Sequence, residues 1–168
     1  NYETDHLYIA EFASESRVLE GEPDVQSARE TFARGVSSAL IEADPDGTWI
    51  PSGWSFDLSA DDPGNPWQAN WTPDNVKGYL ENITAPVRVW DLWSEEAEKY
   101  KACDYYSGRR WGFGVLHAFG AGSLMHGDVP GLIEKAHDLI NEPRADKCDM
   151  WGNMPEIIDF NGFYLEMC

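Results

Sequence analysis

No run of 18 apolar residues occurs in the chain, so no segment reads as a membrane-spanning helix. There is no Gly-x-Ser-x-Gly elbow, no P-loop and no dinucleotide fingerprint. Those absences remove the simplest signatures of an α/β-hydrolase, a nucleotide-phosphate enzyme and a nicotinamide enzyme. Basic residues are scarce: 12 stand against 30 acids, a formal net charge of −18. Such a surface repels phosphate backbones and anionic bilayers, so neither nucleic acid nor membrane is expected as a partner. Cationic proteins and neutral ligands such as sugars remain. The imbalance is uneven: residues 1–62 hold 14 acids and 3 bases, a net of −11, which suits a docking face for a basic partner. No signal peptide is visible, and the first residue is Asn1 rather than Met, which fits a mature form after removal of a leader.

Cysteine is also rare, at Cys103, Cys148 and Cys168. In an oxidising compartment two of these three are expected to pair, and the odd one is free to bond another chain. Every pairing remains open. The spacing matches no zinc motif, and no metal or cofactor is expected.

What is present points first to a compartment. Two N-glycosylation sequons stand twelve residues apart, Asn70-Trp71-Thr72 and Asn82-Ile83-Thr84. Neither has a middle proline, so Asn70 and Asn82 are candidate glycan sites on a secreted, extracellular protein. Hydrophobic residues make up 42 % and aromatics 13 % of the 168, too many for a disordered chain and enough for one self-supporting core.

Periodicity and punctuation outline the elements. Asp5 or Thr4 caps an expected helix from about residue 6 to 19, ended by Gly21. Val25, Ala28, Phe32, Val36, Ala39 and Leu40 recur at three- and four-residue steps and predict a helix over 23–43. Residues 44–71 are crowded with proline and glycine and read as a long irregular loop, with one short strand near 54–58. Thr72-Pro73-Asp74 is a helix start, and a helix over 73–82 follows. Residues 86–92 read as a strand and 95–103 as an acidic helix. The small-residue stretch 111–124 reads as a close-packing helix, if helical at all, and 130–142 as a further helix. The fold class expected is α+β: one mostly helical globular domain over 1–168, with a small sheet and a long tryptophan-bearing loop.

Eight tryptophans are the strongest chemical signal. Trp49, Trp54, Trp67 and Trp71 fall in the loop region, among Asp and Asn. An indole offers a flat apolar face and one N–H, which suits the C–H face of a sugar ring. These four are the candidate ligand-binding residues. His117 and His126, with Asp128 beyond, are the candidate catalytic residues, because imidazole and carboxylate together do acid–base work. A metal reading of the same group needs a further ligand, from His6 or His137. Paired carboxylates abound, including Glu95 with Glu96 and Asp61 with Asp62. Asp57 and Asp91 stand out for following apolar strand-like residues. Glycoside hydrolysis needs two carboxyls about 5–10 Å apart, and sequence alone does not choose them.

The opening Tyr2-Glu3-Thr4-Asp5-His6-Leu7-Tyr8, leading toward Phe12, resembles a segment of the C-terminal region of killer-toxin-like family 18 chitinases of filamentous fungi and their stand-alone relatives. There an aromatic-x-Thr-(Asp/Glu)-His start leads into a helix with an acid near its first turn. Asp5, His6 and Glu11 are the matching types. The chitinase run Asp-x-x-Asp-x-Asp-x-Glu is absent, so the resemblance implies a secreted fungal accessory or toxin-associated domain and not chitinase activity.

Three functions fit these residues. The leading one is a secreted glycoprotein domain that binds a carbohydrate or a partner protein without catalysis. The second is a glycan-acting hydrolase or lyase using histidine and carboxylate. The third is an acidic effector or toxin component that docks a basic partner. Whether the chain is an enzyme is left open between them.

Overall fold

The computed structural model describes residues 6–9, 22–56, 58, 71–116 and 128–154. In chain order these form β1 (Leu7–Tyr8), α1 (Val25–Ala43), β2 (Thr48–Trp49), a 3-10 turn (Gly53–Ser55), α2 (Pro73–Glu81) and β3 (Arg88–Leu92). Three one-turn segments follow, α3 (Ser94–Ala97), α4 (Lys99–Ala102) and α5 (Asp104–Ser107). Then come β4 (Arg110–Val115), α6 (Val129–Leu139), a second 3-10 turn (Ala145–Lys147) and β5 (Cys148–Asn153).

Among the described residues every strand pairing is parallel. β1 pairs with β2, and β3, β4 and β5 pair in that order. Bridges at Trp49–Val87 and Ser52–Trp90 join the two groups, supported by Trp49 N–H to Pro86 O (2.9 Å) and Trp90 N–H to Pro51 O (2.9 Å). The strands therefore lie side by side in chain order. Parallel neighbours cannot be joined by a hairpin, so each connection must cross back, and helices occupy the crossovers. The expected mixture of dominant helix and small sheet is found. The strict alternation of strand and helix is what the sequence did not disclose.

The helix caps explain where the long helices start. The Asp24 carboxylate accepts from Ser27 N–H (2.9 Å) at α1, and the Thr72 hydroxyl accepts from Asn75 N–H (3.1 Å) at α2. The buried stripe of α1 is Arg29, Ala33, Ser37 and Leu40, rotated from the expected one, and Ala39 is exposed. Two polar contacts set that rotation. The Arg29 guanidinium lies 3.8 Å from the Trp71 ring centre. The Ser37 hydroxyl accepts from Thr84 N–H (2.8 Å) and Ala85 N–H (2.7 Å), tying α1 to the segment entering β3.

Three expectations are corrected. Leu7–Tyr8 is a strand rather than the start of a helix. Residues 53–55 form a 3-10 turn, not a strand. The stretch from Trp111 is strand β4 up to Val115, not a helix, and 117–124 lie outside the described residues. In β4, Trp111, Phe113 and Val115 share one buried face, while Gly112 and Gly114 share the other. The aromatic face stacks Trp111 on Tyr100 (4.5 Å, 17°) and Phe113 on Trp151 (4.4 Å, 5°). The glycine face makes room for Trp90: a Cβ on Gly114 would sit 2.9 Å from its ring, and one on Gly152 would collide with it. An expected helix over 95–103 is broken at Glu98, and all four residues of α5 carry positive φ, so that turn is left-handed.

Candidate functional site at the carboxyl ends of the strands

Trp49 and Trp71 are core residues, 0 % and 1 % exposed. They pack with Phe56 and Tyr79 in edge-to-face contacts, Trp49–Tyr79 at 6.1 Å and Phe56–Trp71 at 5.1 Å. Their rings face protein, which corrects the expectation that they bind ligand; edge-to-face packing and burial are the ordinary fate of large aromatics. Trp54 is half-buried and packs on Trp93 (5.9 Å). Trp67, His117, His126, Asn70, Asp57 and Cys168 lie outside the described residues. Asp128 is the N-cap of α6, its carboxylate accepting from Gly131 N–H (3.1 Å).

The other candidates separate. His6 Nδ1–H donates to the Asp44 carboxylate (2.7 Å), which also accepts from the Tyr8 hydroxyl (2.8 Å), beside the amino end of β2. The Tyr8 hydrogen bond is the main reason that the Asp44 carboxyl titrates below the usual range. His137 sits in the last turn of α6. Asn82 ends α2, half-buried: its amide nitrogen donates to Gly78 O (2.8 Å) and its oxygen accepts from Arg34 (2.5 Å). Cys103 and Cys148 are both free thiols, so neither takes part in the expected disulfide. Burial keeps them protonated, Cys103 pushed up to about 12 and Cys148 to about 11.

Other groups lie where β3, β4 and β5 end. Glu95 lies three residues past β3, and its Oε1 accepts from the backbone N–H of Leu116, just past β4, at 2.8 Å. Its Oε2 is buried with no hydrogen-bond partner. Burial is the largest influence on Glu95 and raises its pKa; the Leu116 N–H works against that rise. Asn153, the last residue of β5, lies in register with Val115. Both its amide nitrogen and its amide oxygen are buried and without a partner. Ser94 holds the turn between them: its hydroxyl donates to Asp91 O and accepts weakly from Gly114 N–H (3.4 Å).

The same edge carries Trp54 and Trp93. Gly53 lets the 3-10 turn press on β3, since a Cβ there would be 3.0 Å from Asp91 Cα and Trp90 O. Lys99 spans the junction, donating to Gly53 O (3.1 Å) and Trp54 O (3.4 Å), with its ammonium 5.3 Å from the Trp54 ring centre. Trp93 has φ +72, a left-handed backbone uncommon for so bulky a residue. Asp91 is fully buried on the opposite side, under the one-turn helices, with Tyr100 N–H donating to it (2.9 Å). Among the described residues, no group of three or more His, Cys, Asp or Glu is placed to hold a metal ion, and no helix is long and apolar enough to cross a membrane.

Parallel strands in chain order with helices in the crossovers define the class of β/α proteins. The chain belongs to the alpha-N-acetylglucosaminidase (NAGLU) tim-barrel domain family, whose family model matches residues 1–168. In fold it is similar to a family 89 glycoside hydrolase from Clostridium perfringens, solved in complex with PUGNAc, with TM-score 0.59 and 23 % identity. That similarity covers 83 % of this chain and 14 % of that one, so the chain spans about a seventh of the solved protein. No curated protein matches the chain.

Sequence reasoning had Glu95 only as one of many paired carboxylates, and it did not single out Asn153. The signal for Glu95 was its distance past a strand, which becomes informative once the strands are known to be parallel.

Proposed function

We propose that the chain is part of the catalytic barrel of a glycoside hydrolase acting on alpha-linked N-acetylglucosaminides. The observation that carries this reading is the run of five parallel strands in chain order, in a chain of that family, with a buried carboxyl at their carboxyl edge. Barrels of this type place their chemistry at that edge, on residues just past the strand ends. Glu95 is the carboxyl that combines burial with this position among the described residues. The reading agrees with the glycan-acting alternative from sequence. The leading reading from sequence, a non-catalytic domain binding a carbohydrate or a partner protein, loses two of its four candidate tryptophans to the core.

The test is hydrolysis of aryl glycosides by the protein carrying residues 1–168. Release from the α-N-acetylglucosaminide is expected, with little from the matching α-glucoside or β-anomer. No release, or equal release from all three, removes the reading.

A further inference from the structure

We propose that Asn82 carries an N-linked glycan in a chain that passes through a secretory pathway, and that this glycan stands at the amino edge of the sheet, opposite Glu95. The proposal rests on the fold and not on the hydrolase reading.

The sequon Asn82-Ile83-Thr84 sits where a bulky, solvating group has room. Asn82 caps the carboxyl end of α2 and is half-buried, with Glu81, Thr84 and Arg34 exposed around it. Ile83 takes the core-facing position, 2 % exposed, and leaves its two neighbours toward solvent. Asn82 lies six residues before Arg88, the first residue of β3, while Glu95 lies three residues past Leu92, its last. Between them β3 is five residues long, roughly 16 Å of strand. Because the strands are parallel, α2 returns from the carboxyl edge to the amino edge and ends there. Ser37 fixes that end against α1 by accepting from Thr84 and Ala85 N–H. In β/α folds the chemistry collects at the carboxyl edge and the amino edge serves stability, so a glycan at Asn82 leaves ligand access free.

The contacts of the asparagine are compatible with transfer. Asn82 Nδ2 displaces the diphosphate from the anomeric carbon of a lipid-linked oligosaccharide. The N–C bond forms as the C–O bond breaks, the electron pair leaves with the diphosphate, and one of the two amide protons is released. The other proton stays on Nδ2, enough to keep the bond to Gly78 O (2.8 Å). The amide oxygen keeps its lone pairs for Arg34. The Thr84 hydroxyl that the motif requires lies 3.1 Å from the Ser37 hydroxyl in the folded protein, so transfer takes place on the chain before it folds. The same contacts would also serve a plain helix cap, and the experiment separates the two.

Residues 1–168 are translated behind a cleavable secretory leader in the presence of microsomes, with leader removal marking the chains that entered. Peptide mapping after peptide-N-glycosidase, which turns a glycan-bearing asparagine into aspartate, should find that conversion at Asn82. Thr84→Ala breaks the sequon and leaves Asn82 with its helix cap, so the conversion should be lost. Thr84→Ser keeps the hydroxyl and should retain it. None of these readouts needs a folded product, since transfer precedes folding. Entered chains with an unconverted Asn82, whether or not Asn70 is converted, overturn the proposal, and so does a conversion that survives in Thr84→Ala. The placement is read by amide hydrogen exchange on the glycoprotein before and after stripping. Exchange at residues 93–95 and 114–116 should be unaltered, and a change there overturns the amino-edge position. Each outcome stands whether or not the protein cleaves an aryl glycoside, so the hydrolase reading is tested separately.

Discussion

Asp91 is fully buried between β3 and the one-turn helices, and burial pushes its carboxyl from 3.8 up to about 6. The nearby Tyr106 hydroxyl, the hydrogen bond from Tyr100 N–H and the nearby Lys99 only partly offset that rise. A folded pKa above the unfolded one means that the folded state holds the proton more tightly. The stabilisation is therefore complete below pH 4 and lost as pH climbs through about 6. Two pKa units correspond to about 3 kcal/mol. The Asp91→Asn variant keeps an oxygen for Tyr100 N–H and carries no charge, so it should not show this loss. Urea midpoints at pH 4.5 and 7 for both proteins measure it: the unaltered protein should lose ground to the variant by that order across the interval. Equal pH responses would contradict the assignment. The comparison between variants matters because Glu142 and Asp44, both lowered by hydrogen-bonded tyrosines, bend the curve the other way at lower pH. In sequence, Asp91 stood out for following apolar residues. Its position at a strand end was legible and its direction was not. Trp90 takes the glycine-lined face and Asp91 the helix-covered one, and alternation does not say which face is which when both are buried.

Elements were legible where the chain supplies its own punctuation. Thr72 with Pro73 marks a helix start that the structure contains, and α1 and α6 lie close to the helices expected over 23–43 and 130–142, α1 starting after Asp24 rather than at residue 23. Asp128 was a candidate catalytic acid in sequence, and the structure gives it a capping contact. Its observed work is to accept Gly131 N–H at the start of α6. Asp128→Ala should therefore lower stability by about 1 kcal/mol, and Asp128→Asn should recover most of it. Glycoside cleavage per folded molecule should match the unaltered protein in both. Thermal midpoints paired with turnover decide the matter: turnover collapsing in the asparagine variant with its midpoint intact would restore a chemical role. β4 failed to read as a strand because glycine content masked its period. Trp-Gly-Phe-Gly-Val alternates perfectly, but each glycine was weighed as a flaw in a helix rather than as space for Trp90. β1 and β2 are two residues each, too short for any periodicity.

At the scale of the whole molecule, parallel order was hidden because partners far apart in sequence leave no local trace, and with it the carboxyl edge beside which Glu95 stands. Net charge, by contrast, is fully visible in sequence and has a consequence for the whole fold. A charge of −18 on 168 residues sets acid against acid in the compact state. The described cations are largely taken up in ion pairs, such as Lys101 with Glu142 (2.9 Å), Arg88 with Asp149 (3.3 Å) and Arg144 with Asp104 (3.0 Å). These pairs range from half-buried to exposed, and the exposed ones contribute about 0–1 kcal/mol each. Salt weakens both the pairs and the repulsion, so the sign of its effect reports which is larger. With 30 acids and only 12 bases, 18 negative charges have no counterpart even if every base is paired, so repulsion should dominate. Screening tightens as the Debye length shrinks from about 30 Å at 0.01 M to about 8 Å at 0.15 M salt. The thermal midpoint should therefore rise with sodium chloride over that range, by about 2–4 °C for each kcal/mol of repulsion relieved in a chain of this size. The rise should be smaller at pH 5 than at pH 8, because partial protonation of raised carboxyls such as Glu95 and Asp91 removes part of the charge. Scanning calorimetry at both pH values measures each difference. A midpoint that falls with salt at pH 8 would mean that the ion pairs, not the surplus of acids, govern the electrostatics of this fold.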